Sequence, residues 1–443
     1  MIALKVIREN VENVRAVMKT RGANIDLDQI IELDHNRRNL LVTVESARAN
    51  RREAGKQIGQ AKSDEDRQRL IEAQRNDAGE LDELEKNLRE IETELDQRLL
   101  EIPNLTHPDL PEGGEEDALI VLDGDGSTNT ERKFSPKLRL DQYDEPHSQA
   151  GKPHWEIAEE HGYIDFERGS KVSGSPFYML RGDGARLQRA LINWMLDLHL
   201  RQGYEEVYPP FLVREEPLIG TGQLPKFADT LFEIKDSDLW LVPTAEVPVT
   251  NMYREEIFEI EELPVKHSAY TACFRHEQFS AGRQVRGIKR GYQFDKVEMV
   301  IFTTEDQSWE TLDTLLENAL DVVRQLGLKY RVLQLATKDT GFSSAMTYDI
   351  EVWSAGSGEW LEVSSVSNFT DFQARRAGLR YRTADNVIKH AHTLNGSGLG
   401  IPRTFAALLE QNSNDSGNML VPEVLRPYLG GQEFLEPPLK VER

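Results

Sequence analysis

At 443 residues the chain exceeds one ordinary hydrophobic core and should fold as two or three domains. Its formal charge of −23 repels polyanions at long range, which excludes generic nucleic-acid binding unless basic residues are concentrated locally. A single cysteine, Cys273, excludes an intrachain disulfide framework and a multi-cysteine zinc site, and no apolar run approaches the roughly 18 residues of a membrane span.

The N-terminal stretch MIALKVIRENVENVRAVMKTRG mixes charged and aliphatic residues without an apolar signal core, so a cytoplasmic location is expected. From about residue 27 to 101 there is almost no proline, and apolar residues follow heptads. Leu33, Leu40, Val44, Ala47, Ala54, Ile58 and Ala61 mark one helix, interrupted at the seam by Arg37 and Arg51. Leu81, Leu84, Leu88, Ile91, Leu95 and Leu99 mark the second, after a turn at Lys62-Ser63-Asp64-Glu65. The pattern predicts an antiparallel two-helix coiled-coil arm on the order of 50 Å long. Its charge is polarised. His35 to Lys62 holds seven Lys/Arg against two acids, whereas Ser63 to Glu101 holds six against fourteen. Two readings stand side by side: helices that attract each other, or a basic stripe (Arg37, Arg48, Arg51, Arg52, Lys56) facing a polyanion.

Pro103, Pro108 and Pro111 break the helical pattern, and residues 110–150 read as an acidic, Gly-rich connector, flexible over 112–135. Its DGDGS run lacks the spaced ligands and closing Glu of a calcium loop. Residues 151–443 then mix helices, such as Gly184 to Leu200 and Trp309 to Leu326, with strand-like runs. EEVYPPFLV, LWLVPT, KHSAYTACFR, YQFDKVEMVIF, YDIEVWS and WLEVSSVS are not separated by regular crossovers. That predicts an α+β fold with a mixed, mostly antiparallel sheet flanked by helices.

Several segments carry chemistry. CFRHE (Cys273 to Glu277) reads as the end of a strand, with Arg275 and Glu277 on one face and His276 on the other. Four more cations follow at Arg283, Arg286, Lys289 and Arg290. Alternation in YQFDKVEMVIF puts Phe294, Lys296 and Glu298 on one side and Val297, Met299 and Ile301 on the other. NGSGLGIPRTFAALLE (Asn395 to Glu410) is a glycine-rich turn leading into a helix with Pro402 and Arg403 in its first turn. Gly396 and Gly398 are expected to let backbone approach a ligand.

CFRHE and NGSGLGIPRTFAALLE resemble motifs 2 and 3 of class II aminoacyl-tRNA synthetases. The flanking LVPTAEVPVTN, QFDKVEMV, EVSSVSNFTDFQARR and VPEVLRPYLGG narrow the resemblance to the seryl-tRNA synthetase family, over nearly the whole chain. It implies a tRNA-binding domain at 1–109 and a catalytic domain at 151–443. It implies formation of seryl-adenylate from L-serine and ATP with Mg²⁺, then transfer to the 3′ end of tRNA(Ser), with tRNA(Sec) a second candidate. As catalytic residues it implies Arg275, Arg403 and Glu362. Serine would be met by Thr244, Ala245, Glu246, Arg275, Glu298 and Ser397. ATP would be met by Arg275, His276 (through backbone), Glu277, Gly291, Phe294, Glu362, Val363, Ser364, Ser365 and Arg403. Mg²⁺ would be held by Glu362 and Ser365. The family is a homodimer whose motif 1 matches the Gly184 to Leu200 helix and EEVYPPFLV, with Pro210 as its proline. The arm of one subunit would reach a tRNA whose acceptor end enters the other. Two alternatives remain at this point: an amino-acid ligase charging a carrier protein, and a non-catalytic tRNA-binding paralogue.

Overall fold

Asp26 and Ser63 each open a long helix by the same device. The Asp26 carboxylate accepts from the Gln29 backbone N–H at 3.0 Å, and Ser63 Oγ accepts from that of Asp66 at 3.1 Å. The computed structural model describes residues 1–124, 138–143, 151–277, 286–414 and 418–436, apart from the side chains of residues 70 and 73–78. The chain divides into two compact units, Ile2–Pro103 and Asn104–Arg443.

In the first unit, α1 (Leu4–Glu9) and α2 (Val11–Thr20) precede α3 (Leu27–Gln60) and α4 (Asp64–Leu100). The last two pair as the expected arm, each about 50 Å long. The turn is shorter than expected: Asp64 and Glu65 already belong to α4, where their charges favour the helix N-terminus. Val44, Leu81 and Leu88 form the buried seam, with Leu40, Leu41, Ala47 and Leu84 against it. Arg51 is exposed rather than seated in the seam. Arg37 and Arg48 bridge to α4 through Glu92 at 3.2 Å and Glu85 at 2.8 Å. These bridges brace the arm, yet Arg48, like Arg52 and Lys56, is exposed.

The second unit is built on a nine-stranded sheet. Its strands in chain order are β1 (Leu119–Gly124), β2 (Leu138–Arg139), β3 (Glu205–Val207), β4 (Val265–Phe274) and β5 (Gln293–Thr303), then β6 (Tyr330–Gln334), β7 (Met346–Ser354), β8 (Glu359–Asn368) and β9 (His392–Gly400). The spatial order is β2-β1-β6-β7-β8-β9-β5-β4-β3, and only β3 on β4 is parallel. Two expectations need correction. Leu119–Gly124, assigned by composition to a flexible connector, is a strand whose Ile120, Val121 and Leu122 are buried; residues 125–137, with most of the DGDGS run, lie outside the described residues. EEVYPPFLV is not one strand. Pro209 and Pro210 offer no N–H, and beyond them Leu212–Arg214 pairs with Leu239–Leu241 in a separate two-stranded antiparallel sheet.

Helices α5 (His154–His161), α6 (Asp183–Arg201), α7 (Glu246–Thr250), α8 (Ser308–Gln325), α9 (Phe372–Ala377) and α10 (Ile401–Asn412) complete the layout used below. Leu187, Leu191, Trp194 and Met195 of α6 share one core with Leu312, Leu315 and Leu316 of α8 and Phe405 and Leu408 of α10. Val297, Met299 and Ile301 project into that core; on the opposite face of β5, Val300 and Phe302 close a second core, and the stretch from Phe294 to Glu298 is left for polar work.

Candidate active site

That polar face floors a cavity of about 380 Å³, within the usual range for small-molecule sites. Phe294, Lys296 and Glu298 all line it, as period-two alternation requires. Neighbouring β9 contributes Asn395 and Ser397 to the same face. Gly396 and Gly398 point the other way, contrary to expectation. A Cβ on Gly398 would overlap His199 Nε2 of α6, and one on Gly396 would lie 3.2 Å from Val366. These glycines let helices close on the sheet rather than backbone approach a ligand. The extra residue at Gly398 is a bulge: Val297 faces Leu399 and Glu298 faces Ser397.

One end of the cavity is a network of acids and amides. Thr244 Oγ donates to Glu298 Oε2 at 3.0 Å, Asn395 Nδ2 donates to Oε1 at 2.8 Å, and the Lys296 ammonium pairs with the same carboxylate. Glu246, opening α7, accepts from Gln373 Nε2 of α9 at 2.6 Å. Gln373 is oriented in turn by Thr393, whose hydroxyl donates to its Oε1 at 2.7 Å. Burial, reinforced by the nearby Glu298 charge, pushes the Glu246 carboxyl up to about 7, against the smaller pull of Gln373 and Lys296. Ala245 does not face the cavity. It packs with Val249, Phe258 and Phe302 behind the loop, so of the three consecutive residues only Thr244 and Glu246 line the site.

Beside this network an arginine caps an aromatic ring, and further cations line the cavity. β4 stops at Phe274, so Arg275-His276-Glu277 is a turn rather than the end of a strand. The Glu277 N–H donates to Arg275 O at 2.9 Å, and both side chains still line the cavity. The Arg275 guanidinium lies over the Phe294 ring at 5.2 Å. His276 is directed elsewhere: its N–H donates to Thr230 O and its ring stacks on Tyr292 at 5.4 Å, outside the lining. Ile288, Lys289, Arg290 and Gly291 line the cavity, with Arg290 3.7 Å from Glu277; Arg283 lies outside the described residues.

β8 supplies Glu362, Val363 and Ser365 to the lining. Ser364 is not among them; its hydroxyl donates to Ser397 O at 2.7 Å between the strands. Arg403, in the first turn of α10, donates from one terminal nitrogen to Glu362 O at 2.7 Å and Oε2 at 3.2 Å, and from Nε to Lys289 O at 3.1 Å. It thereby ties motif-like segments from three parts of the sequence. Asp349 of β7 stands beside Glu362; burial, with that neighbouring charge, pushes its carboxyl well up, and Ser365 hydrogen-bonds to it. Among the described residues, no three His, Cys, Asp or Glu side chains are grouped to hold a metal ion.

Lys296 and Asn395, which clamp Glu298, and Gln373, which holds Glu246, were not singled out as site residues in the sequence. Alternation placed Lys296 on the right face. Gln373 had no such signal, because it arrives from a helix more than a hundred residues away.

A cavity with a carboxylate–amide end, an arginine-capped aromatic ring and an arginine from a helix start can take a zwitterion beside a nucleotide triphosphate. The comparisons with known proteins agree with that geometry. A model described as "tRNA synthetase class II core domain (G, H, P, S and T)" matches residues 231–412, and one described as "Seryl-tRNA synthetase N-terminal domain" matches residues 1–106. The serine–tRNA ligase of Chloroflexus aurantiacus is 49% identical over 99% of this chain and 100% of its own length. That of Thermomicrobium roseum is 49% identical over 98% and 94%. A crystal structure of seryl-tRNA synthetase from Pyrococcus horikoshii complexed with ATP aligns with a TM-score of 0.87 and 33% identity, covering 99% of this chain and 100% of that one. Full-length identity at this level, carried by both units of the chain, makes it a member of the seryl-tRNA synthetase family of class II aminoacyl-tRNA synthetases.

Proposed function

We propose that this chain is a serine–tRNA ligase that joins L-serine to ATP as seryl-adenylate and then acylates the 3′-terminal adenosine of tRNA(Ser). The observation that carries this reading is the lining of one cavity: Glu246, Glu298 and Asn395 share it with Arg275, Arg290 and Arg403, and Arg275 lies over Phe294. A serine ammonium and hydroxyl fit the first group, and adenine with its phosphates fits Phe294 and the arginines.

In the first step a serine carboxylate oxygen attacks the α-phosphorus, and the bond to the departing pyrophosphate breaks. Two anions must approach each other, so fixed cations dominate the catalysis. Arg275 neutralises the serine carboxylate and α-phosphate while stacked on Phe294. Arg403 takes the γ-phosphate. Glu277 accepts from the adenine amino group, with Phe294 beneath the ring and Gly291 and Val363 as walls. Glu246 and Thr244 receive the ammonium group; Glu298, steadied by Asn395, reads the amino acid with Ser397. In the second step a terminal ribose hydroxyl attacks the acyl carbon and AMP leaves. Because the site hydrogen-bonds a hydroxyl, alanine is rejected by roughly 10⁴ or more, since it leaves those buried groups unpaired.

Glu362 and Ser365 offer only oxygen donors, which suits Mg²⁺ completing its shell with phosphate oxygens and water. Bound there, Mg²⁺ would spread the phosphate charge. The exposed Arg51, Arg52 and Lys56 suit tRNA phosphates, a shape-directed recognition compatible with an acidic protein. A homodimer is part of the proposal: Tyr208, 79% exposed, stands with Ile192, Leu196 and Val207 around one groove on the α6–β3 segment. A cytoplasmic location is also proposed; among the described residues no helix is long and apolar enough to cross a membrane.

Serine-dependent ATP–pyrophosphate exchange, followed by charging of tRNA(Ser), tests the reading. Exchange without tRNA charging would favour a carrier-protein ligase, and no exchange would leave only the non-catalytic alternative. Charging of tRNA(Sec) is measured in the same assay.

A further inference from the structure

His154 opens α5 and belongs to none of the motif-like segments, yet it is fully buried against two of them. Its Nδ1 lies 2.7 Å from Glu410 Oε1 on α10, and its backbone N–H donates to the same oxygen at 2.9 Å. The rest of the Glu410 carboxylate is saturated by Ser354, by the Gly356 N–H at 3.0 Å and by Ser357. Burial pushes the Glu410 carboxyl up, but the hydrogen bonds led by His154 outweigh it and hold the group below its usual range. A carboxylate at Nδ1 requires the proton there, which leaves Nε2 as an acceptor. Nε2 takes the backbone N–H of Ile288 at 3.2 Å.

That contact falls where the chain returns toward β5 carrying Lys289, Arg290 and Gly291 into the cavity. Gly287 has φ +83°, and a Cβ there would overlap His154 Nε2, so the chain passes directly against the ring. The adjacent Trp155 ring holds the Arg286 guanidinium at 5.0 Å and the Lys289 ammonium at 5.3 Å. One residue beyond the anchored Ile288, Lys289 O accepts from Arg403 Nε at 3.1 Å. The path therefore runs from Glu410 through His154 to Ile288, and from Lys289 to Arg403.

We propose that His154 is a positioning residue for the nucleotide: held by Glu410, it sets the register of the returning loop and hence where Arg290, Gly291 and Arg403 meet the triphosphate. This rests on the ATP site described under the proposed function. It predicts an effect on the nucleotide that the amino acid does not share, because Glu246 and Glu298 are held by α9, β9 and the Thr244 turn rather than by this loop.

The test is exchange kinetics with ATP and serine varied separately. His154→Phe keeps ring volume but leaves the Ile288 N–H unpaired, and should raise KM for ATP roughly tenfold to a hundredfold. KM for serine should stay within about twofold of wild type. His154→Gln restores an acceptor near the Nε2 position and should recover most of the loss. Gly287→Ala pushes on the same ring from the loop side without removing a buried partner, so it should raise KM for ATP selectively even if His154→Phe fails to fold. Combining Gly287→Ala with His154→Ala, which makes room, should give less than the product of the single effects. Equal changes in both KM values, or an unchanged KM for ATP in Gly287→Ala, would overturn the proposal. A wild-type protein without serine-dependent exchange would instead sink the functional reading beneath it.

Discussion

Glu246 offers the sharpest pH prediction. Its carboxyl rises from an ordinary 4.5 to about 7, chiefly through burial and then through the Glu298 charge. The folded state therefore favours its protonated form. The sign follows directly: this stabilisation is complete below pH 4.5 and is lost as pH rises through about 7, a difference of roughly 3 kcal/mol. A serine ammonium placed beside Glu246 restores a counter-charge and favours ionisation, so serine binding expels a proton below pH 7. KM for serine in the exchange assay should be flat above pH 7 and rise about tenfold per pH unit beneath it, reaching roughly thirtyfold at pH 5.5. KM for ATP should move far less. Glu246→Gln removes the titration, so it should weaken serine binding at pH 8, flatten the pH dependence and raise the melting temperature of the unliganded protein at pH 8. A wild-type KM for serine that stays level from pH 8 to 5.5, or the same slope in Glu246→Gln, would refute this account.

Arg403→Ala should lower kcat for exchange by roughly 10²–10³, the usual cost of a transition-state charge donor; a drop below tenfold would remove it from the chemistry. Ser365→Ala should reduce exchange and raise the Mg²⁺ requirement, whereas Ser364→Ala should leave both nearly unchanged, because its hydroxyl is engaged with Ser397 O. Gly398→Ala should destabilise the protein by about 1–3 kcal/mol in denaturant unfolding, since its methyl would overlap His199. Neutralising Arg48, Arg51 and Lys56 together should weaken tRNA charging while exchange stays intact. Exchanging Arg48 and Glu85 keeps their ion pair but moves the charge, so charging should still fall if Arg48 meets tRNA rather than only bracing the arm.

Much of this was visible in the chain itself, for local reasons. Heptad spacing from Leu40 to Leu99 specifies a two-helix arm because apolar residues at that period must share a seam. Alternation from Phe294 to Ile301 separates a polar face from a core face because successive strand residues point oppositely. Proline at 402 followed by Arg403 marks a helix start, and the structure begins α10 at Ile401. What the chain could not announce were contacts made across long separations. Gly396 and Gly398 look like ligand-facing glycines until α6 and α8 close behind them. Ala245 and Ser364 sit inside site-like strings but turn into packing and an inter-strand hydrogen bond. Gln373 and His154 have no local signature, since their partners Glu246 and Glu410 come within reach only after the sheet and helices assemble. Periodicity determines which way a side chain points; only tertiary packing decides what it meets there, because burial and hydrogen bonding depend on atoms that sequence distance does not constrain.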